Sequence, residues 1–280
     1  MTRRCQALAA ALSSLLLSAT AVAQDLPGND IPLDQGFWIG AGAGLVRFDS
    51  NLTLFDEDSG IGGVIDLEGT LGLDEEKAIP FVMGGYGFNE KHSLSFSYFR
   101  FNRDSTLAAI DEDFGPIEVR GDATLSDKTS FGYLDYGYTF YRDPRAAVRF
   151  RAGLYYVDLD LQLNARGEIS IDGEPVVGDE YNEGLSKAAP LPMLGLDIWF
   201  SLTPKWSVGT SLGAIGGSFD EISATIFDAS IMGRYAMTEH FGLNIGAVYF
   251  GADVEIDNSR AITDVRYAYE GLYLGLDYDF

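Results

Sequence analysis

From residue 36 onward the chain is written in steps of two. Across 128–141, Leu134, Tyr136, Tyr138 and Phe140 alternate with Tyr133, Asp135, Gly137 and Thr139. Successive side chains of a strand point to opposite faces, so such a segment predicts a strand with one apolar and one polar face. The same period recurs along the chain. It runs over 36–48 (Ile39, Ala41 and Ala43 against Trp38, Gly40, Gly42 and Gly44), over 77–88, and after His92 (Leu94, Phe96 and Tyr98 against Ser93, Ser95 and Ser97). In 148–156 it sets Val148, Phe150, Ala152, Leu154 and Tyr156 against Arg149, Arg151, Gly153 and Tyr155. Further strands are predicted at 188–202, 206–216, 224–237, 241–249 and 271–280, which makes ten. Beyond Tyr156 the apolar parity moves to Val157, Leu159, Leu161 and Leu163, opposite Asp158, Asp160, Gln162 and Asn164. A β-bulge where the strand leaves its environment is the expectation there.

The connections alternate in length. Tight turns fall at Asn89-Glu90-Lys91-His92, Arg142-Asp143-Pro144-Arg145, Thr203-Pro204-Lys205 and Thr238-Glu239-His240. Long acidic stretches fall at 49–76, 103–127 and roughly 157–186, and an acidic segment at 253–264 precedes the last strand. Part of 61–73 has the composition to extend a hairpin as β. Pro80, Pro190 and Pro192 are awkward in a central strand and fit a rim where strands emerge. The terminal strand carries Leu272, Leu274, Leu276, Tyr278 and Phe280 on one row, and Gly271, Tyr273, Gly275, Asp277 and Asp279 on the other. An aromatic last residue with apolar residues at alternate positions resembles the signal of barrels inserted by the outer-membrane assembly machinery. An even strand number, ~10-residue alternating segments, short turns at one end and long loops at the other predict an all-β fold. That fold is a transmembrane antiparallel up-and-down β-barrel, with periplasmic turns and acidic extracellular loops.

The start of the chain agrees with export. Residues 1–23 read as a signal peptide, with Arg3 and Arg4, an apolar run over 7–21 and Ala21-Val22-Ala23 as the cleavage site. Residues 24–35 then form a periplasmic tail and 36–280 the barrel. No later run approaches the ~20 apolar residues of a spanning helix. The single Cys is Cys5, in the leader, so no disulfide is expected. Without Arg3 and Arg4, 17 of the 19 basic residues remain against 42 acidic ones, a net charge of −25. Such a chain does not bind nucleic acid through phosphates.

Leu191-Pro192-Met193-Leu194-Gly195-Leu196, Leu202-Thr203-Pro204-Lys205-Trp206-Ser207, Phe227-Asp228-Ala229, Thr238-Glu239-His240-Phe241-Gly242-Leu243 and the terminal strand carry a resemblance. Asn89-Glu90-Lys91-His92 followed by Phe96-Ser97-Tyr98-Phe99-Arg100 fits it too. The chain resembles a family of uncharacterised proteobacterial outer-membrane β-barrel proteins. The resemblance implies an outer-membrane location and the barrel fold, and no activity.

Candidate chemistry is sparse. His92 and His240, the two histidines, both fall in tight turns. Ten-stranded barrels include the omptin proteases, which require an external Asp–His pair; no His occurs in a long loop here. Catalytic residues, cofactors and a firm metal site are therefore not expected. The acidic runs Asp56-Glu57-Asp58 and Asp111-Glu112-Asp113 are weak divalent-cation candidates, lacking the ligand spacing of a calcium loop. The inward row is more informative. Asp135, Arg149, Arg151, Asp197, Asp228, Arg234 and Asp277 are expected in the lumen, because an Arg facing lipid at mid-depth costs ~2–4 kcal/mol. Mixed signs favour a salt-bridged lumen over a conducting one, with a small solute channel as the alternative. The expected partners are outer-membrane lipid, lipopolysaccharide and the assembly machinery, with the protein itself a monomer.

Overall fold

The computed structural model describes residues 36–56, 61–70, 72–114, 117–171, 174–175, 180–219, 222–256 and 262–280. The leader and tail read from the sequence lie outside these residues. Among the described residues twelve strands run in chain order: β1 Gly36–Asp56, β2 Ile61–Asp66, β3 Glu76–Gly87, β4 His92–Phe114, β5 Ile117–Arg142, β6 Ala146–Ile171, β7 Glu174–Pro175, β8 Glu180–Ser201, β9 Trp206–Phe219, β10 Ile222–Ala236, β11 Phe241–Ile256 and β12 Ile262–Asp279. Ten of them close an antiparallel up-and-down barrel in the order β1-β3-β4-β5-β6-β8-β9-β10-β11-β12, with β12 returning to β1. The two short strands stand outside the ring: β2 pairs with the far part of β1, and β7 with the far end of β6. The β1–β12 ladder runs from Trp38↔Asp279 to Leu54↔Ile262, and the Phe280 amide donates to the Phe37 carbonyl at 2.9 Å. Near the turn end every strand of the closed ring is paired on both sides, so no sheet edge is left there.

Four tight turns at one end share a single device. The side chain of Asn89, Asp143, Thr203 or Thr238 accepts hydrogen bonds from the amides two and three residues on. These are local side-chain turns of the kind Asn, Asp and Thr favour, and Pro144 and Pro204 preset the backbone of the next position. Chain direction therefore reverses with almost no loop at this end, the turn end. The opposite end, the hairpin end, differs from expectation. The stretches 103–127 and 157–186 are largely strand: β4 and β5 continue to Phe114 and from Ile117, and β6 and β8 to Ile171 and from Glu180. Segment 61–66 is also strand.

The wall changes character partway along its length. On β6, Phe150, Leu154 and Tyr156 are exposed outward while Arg151 is buried inward; one turn of pleat further, Tyr155, Val157, Leu159 and Leu161 are buried inward and Asp158 and Gln162 face out. The β5–β6 and β6–β8 registers pass through Tyr156 without a break, as Tyr156↔Gly132, Val157↔Phe131 and Val157↔Ala189 show. The expected bulge is therefore absent: the side chains keep their parity and the medium changes instead. Other strands invert in the same sense. Outward rows pass from Leu45 to Arg47, from Tyr98 to Arg100 and from Leu272 to Glu270; inward rows pass from Gly44 to Val46 and Phe48, from Ser97 to Phe99 and Phe101, and from Tyr273 to Tyr269 and Tyr267. Near the turn end the barrel is apolar outside, with Leu272 67% and Phe280 70% exposed. A row of that kind is a liability in water and is the surface that lipid covers in membrane barrels. Near the hairpin end the polarity is that of a soluble barrel, with the core inside.

Two places in the wall are only partly zipped. The β3–β4 ladder stops at Phe81↔Phe99, and the β8–β9 ladder at Met193↔Ile215. Pro80 directly precedes the first stop; Pro190 and Pro192 lie just past the second. Proline has no N–H to give a ladder, so it is tolerated where the neighbouring strand has departed. Pro192 packs close to Gly217 across the second gap, where an added Cβ would approach its ring to 3.1 Å. Beside the first gap the 67–75 segment takes the place of strand: Leu67 and Leu73 are buried, and backbone bonds tie Leu67 to Ser50 and Phe48 to Glu75.

Candidate functional site

The lumen holds the chain's concentrated polar chemistry, in three layers. Every residue of the inward set, Asp135, Arg149, Arg151, Asp197, Asp228, Arg234 and Asp277, is buried or half-buried. Nearest the turn end, β10, β11 and β12 supply the first layer. Arg234 Nε donates to Asp277 Oδ1 at 2.9 Å, its Nη2 donates to Asp277 Oδ2 at 2.5 Å and to Asp279 Oδ2 at 2.7 Å, and Asn244 Nδ2 donates to Asp277 Oδ1 at 2.5 Å. Gly242 makes room for this pair, since a Cβ there would lie 2.5 Å from Arg234 Nε. A fork of guanidinium on carboxylate with a third donor is a filled, rigid arrangement.

The middle layer is centred on Arg151 of β6. Its Nε lies 2.9 Å from Asp197 Oδ1 on β8, its Nη1 3.5 Å from Asp135 Oδ2 on β5, and its Nη2 donates to Ser211 Oγ on β9 at 2.7 Å. The Tyr133 ring lies 5.6 Å from its Cζ. Arg149 Nε donates to Thr139 Oγ1 at 3.3 Å. Asp228 of β10 sits opposite Gly213 of β9, against which its carboxylate rests: a Cβ on Gly213 would come within 2.1 Å of Asp228 Oδ1. Beside this layer is a cavity of about 260 Å³, lined on one side by Arg149, Arg151, Asp197 and Asp228 and on the other by aromatic rings.

The third layer closes the lumen. Phe131, with no exposed surface, has the rings of Phe99, Phe101, Tyr155, Phe250 and Tyr267 at centroid distances of 5.3, 6.1, 6.1, 5.0 and 6.5 Å. Leu125, Leu159, Leu161, Leu191, Met193 and Val265 continue the same apolar core toward the hairpin end. Within it lies a charge cluster that the sequence reading assigned to a loop. Arg103, also without exposed surface, donates Nη2 to Asp127 Oδ2 at 2.8 Å and to Ser50 Oγ at 3.1 Å, and Nη1 bonds Glu68. Its guanidinium lies 4.1 Å over the Phe48 ring. Burial opposes the Arg103 charge, but the carboxylates of Asp127 and Glu68 outweigh it and raise the guanidinium pKa. Burial beside Asp127 pushes the Tyr267 phenol well up, so its hydroxyl stays protonated and donates to Asp127 Oδ1 at 3.2 Å. Glu68 Oε2 also accepts from the Ser50 amide at 2.7 Å, so this cluster pins the 67–75 segment over the gap beside β4. Its signal in the sequence is parity alone: Phe99, Phe101 and Arg103 share one row.

The remaining candidates are placed as follows. His92 hydrogen-bonds the Tyr136 hydroxyl, and His240 Nδ1 lies 2.8 Å from the Asp279 carbonyl, both at the turn end. The side chains of Asp56, Glu57, Asp58, Asp111, Glu112 and Asp113 lie outside those described. Among the described residues no group of three or more His, Cys, Asp or Glu has metal-site geometry. Several acids at the hairpin end are ion-paired there: Asp74 with Lys77 at 2.9 Å, Glu75 with Arg47, and Asp253 with Arg266. Leu272, Leu274, Leu276 and Phe280 of the terminal row are exposed on the outer face, and Tyr278 of the same row packs edge-on against Phe280 and Phe241.

No family model matches the chain, and no curated protein matches it either. Solved structures do. The outer-membrane protease OmpT from Escherichia coli is 12% identical, with 89% of this chain and 98% of that one covered and a TM-score of 0.56. The translocator domain of the autotransporter NalP from Neisseria meningitidis is 12% identical over 99% and 98% of the two chains, at a TM-score of 0.45. Ail of Yersinia pestis is 12% identical over 88% and 99%, at 0.33. Identities this low speak to architecture alone. The chain has the ten-stranded, closed, antiparallel fold of outer-membrane β-barrel proteins.

Proposed function

We propose that the protein is a non-conducting, non-enzymatic barrel of the outer membrane that acts through its hairpin end, presented to the outside. One observation carries this reading: among the described residues the lumen beyond Tyr155 is filled by a buried apolar core around Phe131, and that packing supports a closed lumen. Small barrels are filled by their own side chains, and this one is filled twice, by ion pairs below and rings above. The tight turns then face the periplasm. The terminal row of Leu272, Leu274, Leu276, Tyr278 and Phe280 is the segment the assembly machinery would engage, and the exposed belt faces lipid and lipopolysaccharide. The acidic hairpins are the surface for extracellular partners or divalent cations. A cleaved leader at residues 1–23 delivers the chain.

The small-channel reading has its own support in the cavity beside Arg151. Single-channel recording separates the two. Folded protein, verified by a heat-dependent gel shift, is expected to stay silent in a planar bilayer. Discrete steps that change with Arg149→Ala or Asp228→Ala would replace this reading with the channel.

A further inference from the structure

The middle layer leaves one carboxylate with nothing to hold. Arg151 is ion-paired with Asp197 and Asp135 and donates to Ser211. Arg149 is turned toward Thr139. Asp228 makes no hydrogen bond or ion pair among the described residues, although it is mostly buried and lines the cavity. Beneath it Asp135, 1% exposed, has neither carboxylate oxygen hydrogen-bonded. Three aspartates thus share two arginines, and the surplus is negative. A buried charge lacking a partner is expensive, and in a site of this shape it marks where a ligand's opposite charge belongs.

The rest of the wall says what accompanies that charge. Tyr155, Phe250 and Tyr269 form the roof, and Trp38 and Trp199 stand toward the turn end. Phe250 and Tyr269 are stacked at 4.9 Å with 13° between their planes, so together they form one rigid apolar wall. The faces of aromatic rings attract cations, most strongly where water is excluded. At ~30 Å³ per water the cavity would hold about eight or nine waters, or one organic molecule of about ten heavy atoms. Phe81 and Phe99, the last pair of the β3–β4 ladder, also line it, so its flank is the side of the barrel where backbone bonding stops.

We propose that this cavity is a binding site for a small organic ammonium ion, its charged head against Asp228 and its apolar body against the rings of Tyr155, Phe250 and Tyr269. An inorganic cation would leave the ring surface unused, and an anion would meet the Asp228 carboxylate.

The test uses phenethylammonium on the detergent-folded full-length chain, read by tryptophan fluorescence. Trp38 and Trp199 line the cavity, while Trp206 is exposed on the outer face. Saturable binding is expected, with neutral 2-phenylethanol at least about tenfold weaker and phenylacetate weaker still. Asp228→Asn should lose about tenfold for the ammonium and leave the alcohol unchanged. Equal affinity for the ammonium and the alcohol, or an Asp228→Asn protein that binds the ammonium as wild type does, would overturn the proposal. No saturable signal with wild-type protein would overturn it too and mean a hydrated cavity only. Should Asp228→Asn fail to fold, the ratio of ammonium to alcohol on wild-type protein decides.

Discussion

Arg103→Ala lowers the unfolding free energy of the detergent-folded protein by about 3–5 kcal/mol, the range for removing one partner of a buried ion pair. The guanidinium has no exposed surface and holds Asp127, Glu68 and Ser50 at once. Its removal leaves two carboxylates in the apolar core, and takes away the cation stacked on Phe48. It also frees the 67–75 segment, whose Glu68 is the tether across the β3–β4 gap. Denaturant titration read by tryptophan fluorescence measures the loss. A second protein separates charge from packing. Arg103→Met combined with Asp127→Asn and Glu68→Gln removes all three charges and keeps partners for Thr129 and Tyr267. It should recover about 2 kcal/mol relative to the single change, because a neutral, packed replacement of a buried ion cluster is tolerated. Equal instability of the two would show that the long side chain matters for its stacking and not for its charge.

Phe131→Ala has an effect of similar size, about 3–5 kcal/mol, through a different cause. Phe131 is the hub of five rings, three of which, Phe99, Tyr155 and Phe250, line the lumenal cavity on their other side. Truncation opens a void that joins this cavity and shortens the apolar barrier toward the hairpin end. Leu134, three residues along the same strand, is 52% exposed on the outer face. Leu134→Ala should cost far less, because an apolar side chain gains little by leaving lipid for protein. The same titration on both variants checks the contrast. A loss at Phe131 no larger than that at Leu134 would mean the lumen is loosely filled.

Much of the barrel was legible because period two is written into nearly every strand. The ten segments with an aromatic or aliphatic row, the four tight turns and the rim prolines could be read residue by residue. The hairpin end was not legible in the same way. There the strands continue with polar residues outward, so 103–127 and 157–186 have the composition of loops although their backbone is a ladder. Arg103 was lost for that reason. The parity change after Tyr156 was misread because a bulge and a change of surroundings produce the same pattern in one strand. The distinction lies in comparing strands. Leu45 to Arg47, Tyr98 to Arg100, Tyr156 to Asp158 and Leu272 to Glu270 switch in the same sense, and independent bulges in four strands are a poor explanation of that. The lumenal charges follow from the cost of facing lipid, but which aspartate goes unpaired depends on cross-strand register, and hence on three-dimensional structure.

Site-directed spin labelling along β6 tests that inversion most directly. The only cysteine of the sequence is Cys5, so in a Cys5→Ser background single cysteines at successive positions from Leu154 to Gln162 can be labelled one at a time. In lipid vesicles the labels at Leu154 and Tyr156 should be accessible to oxygen, those at Asp158, Asp160 and Gln162 to a water-soluble nickel complex, and those at Val157, Leu159 and Leu161 to neither. Oxygen accessibility at Leu159 and Leu161 would contradict the account, because those side chains would then face lipid beyond a bulge and the lumen beside them would be open.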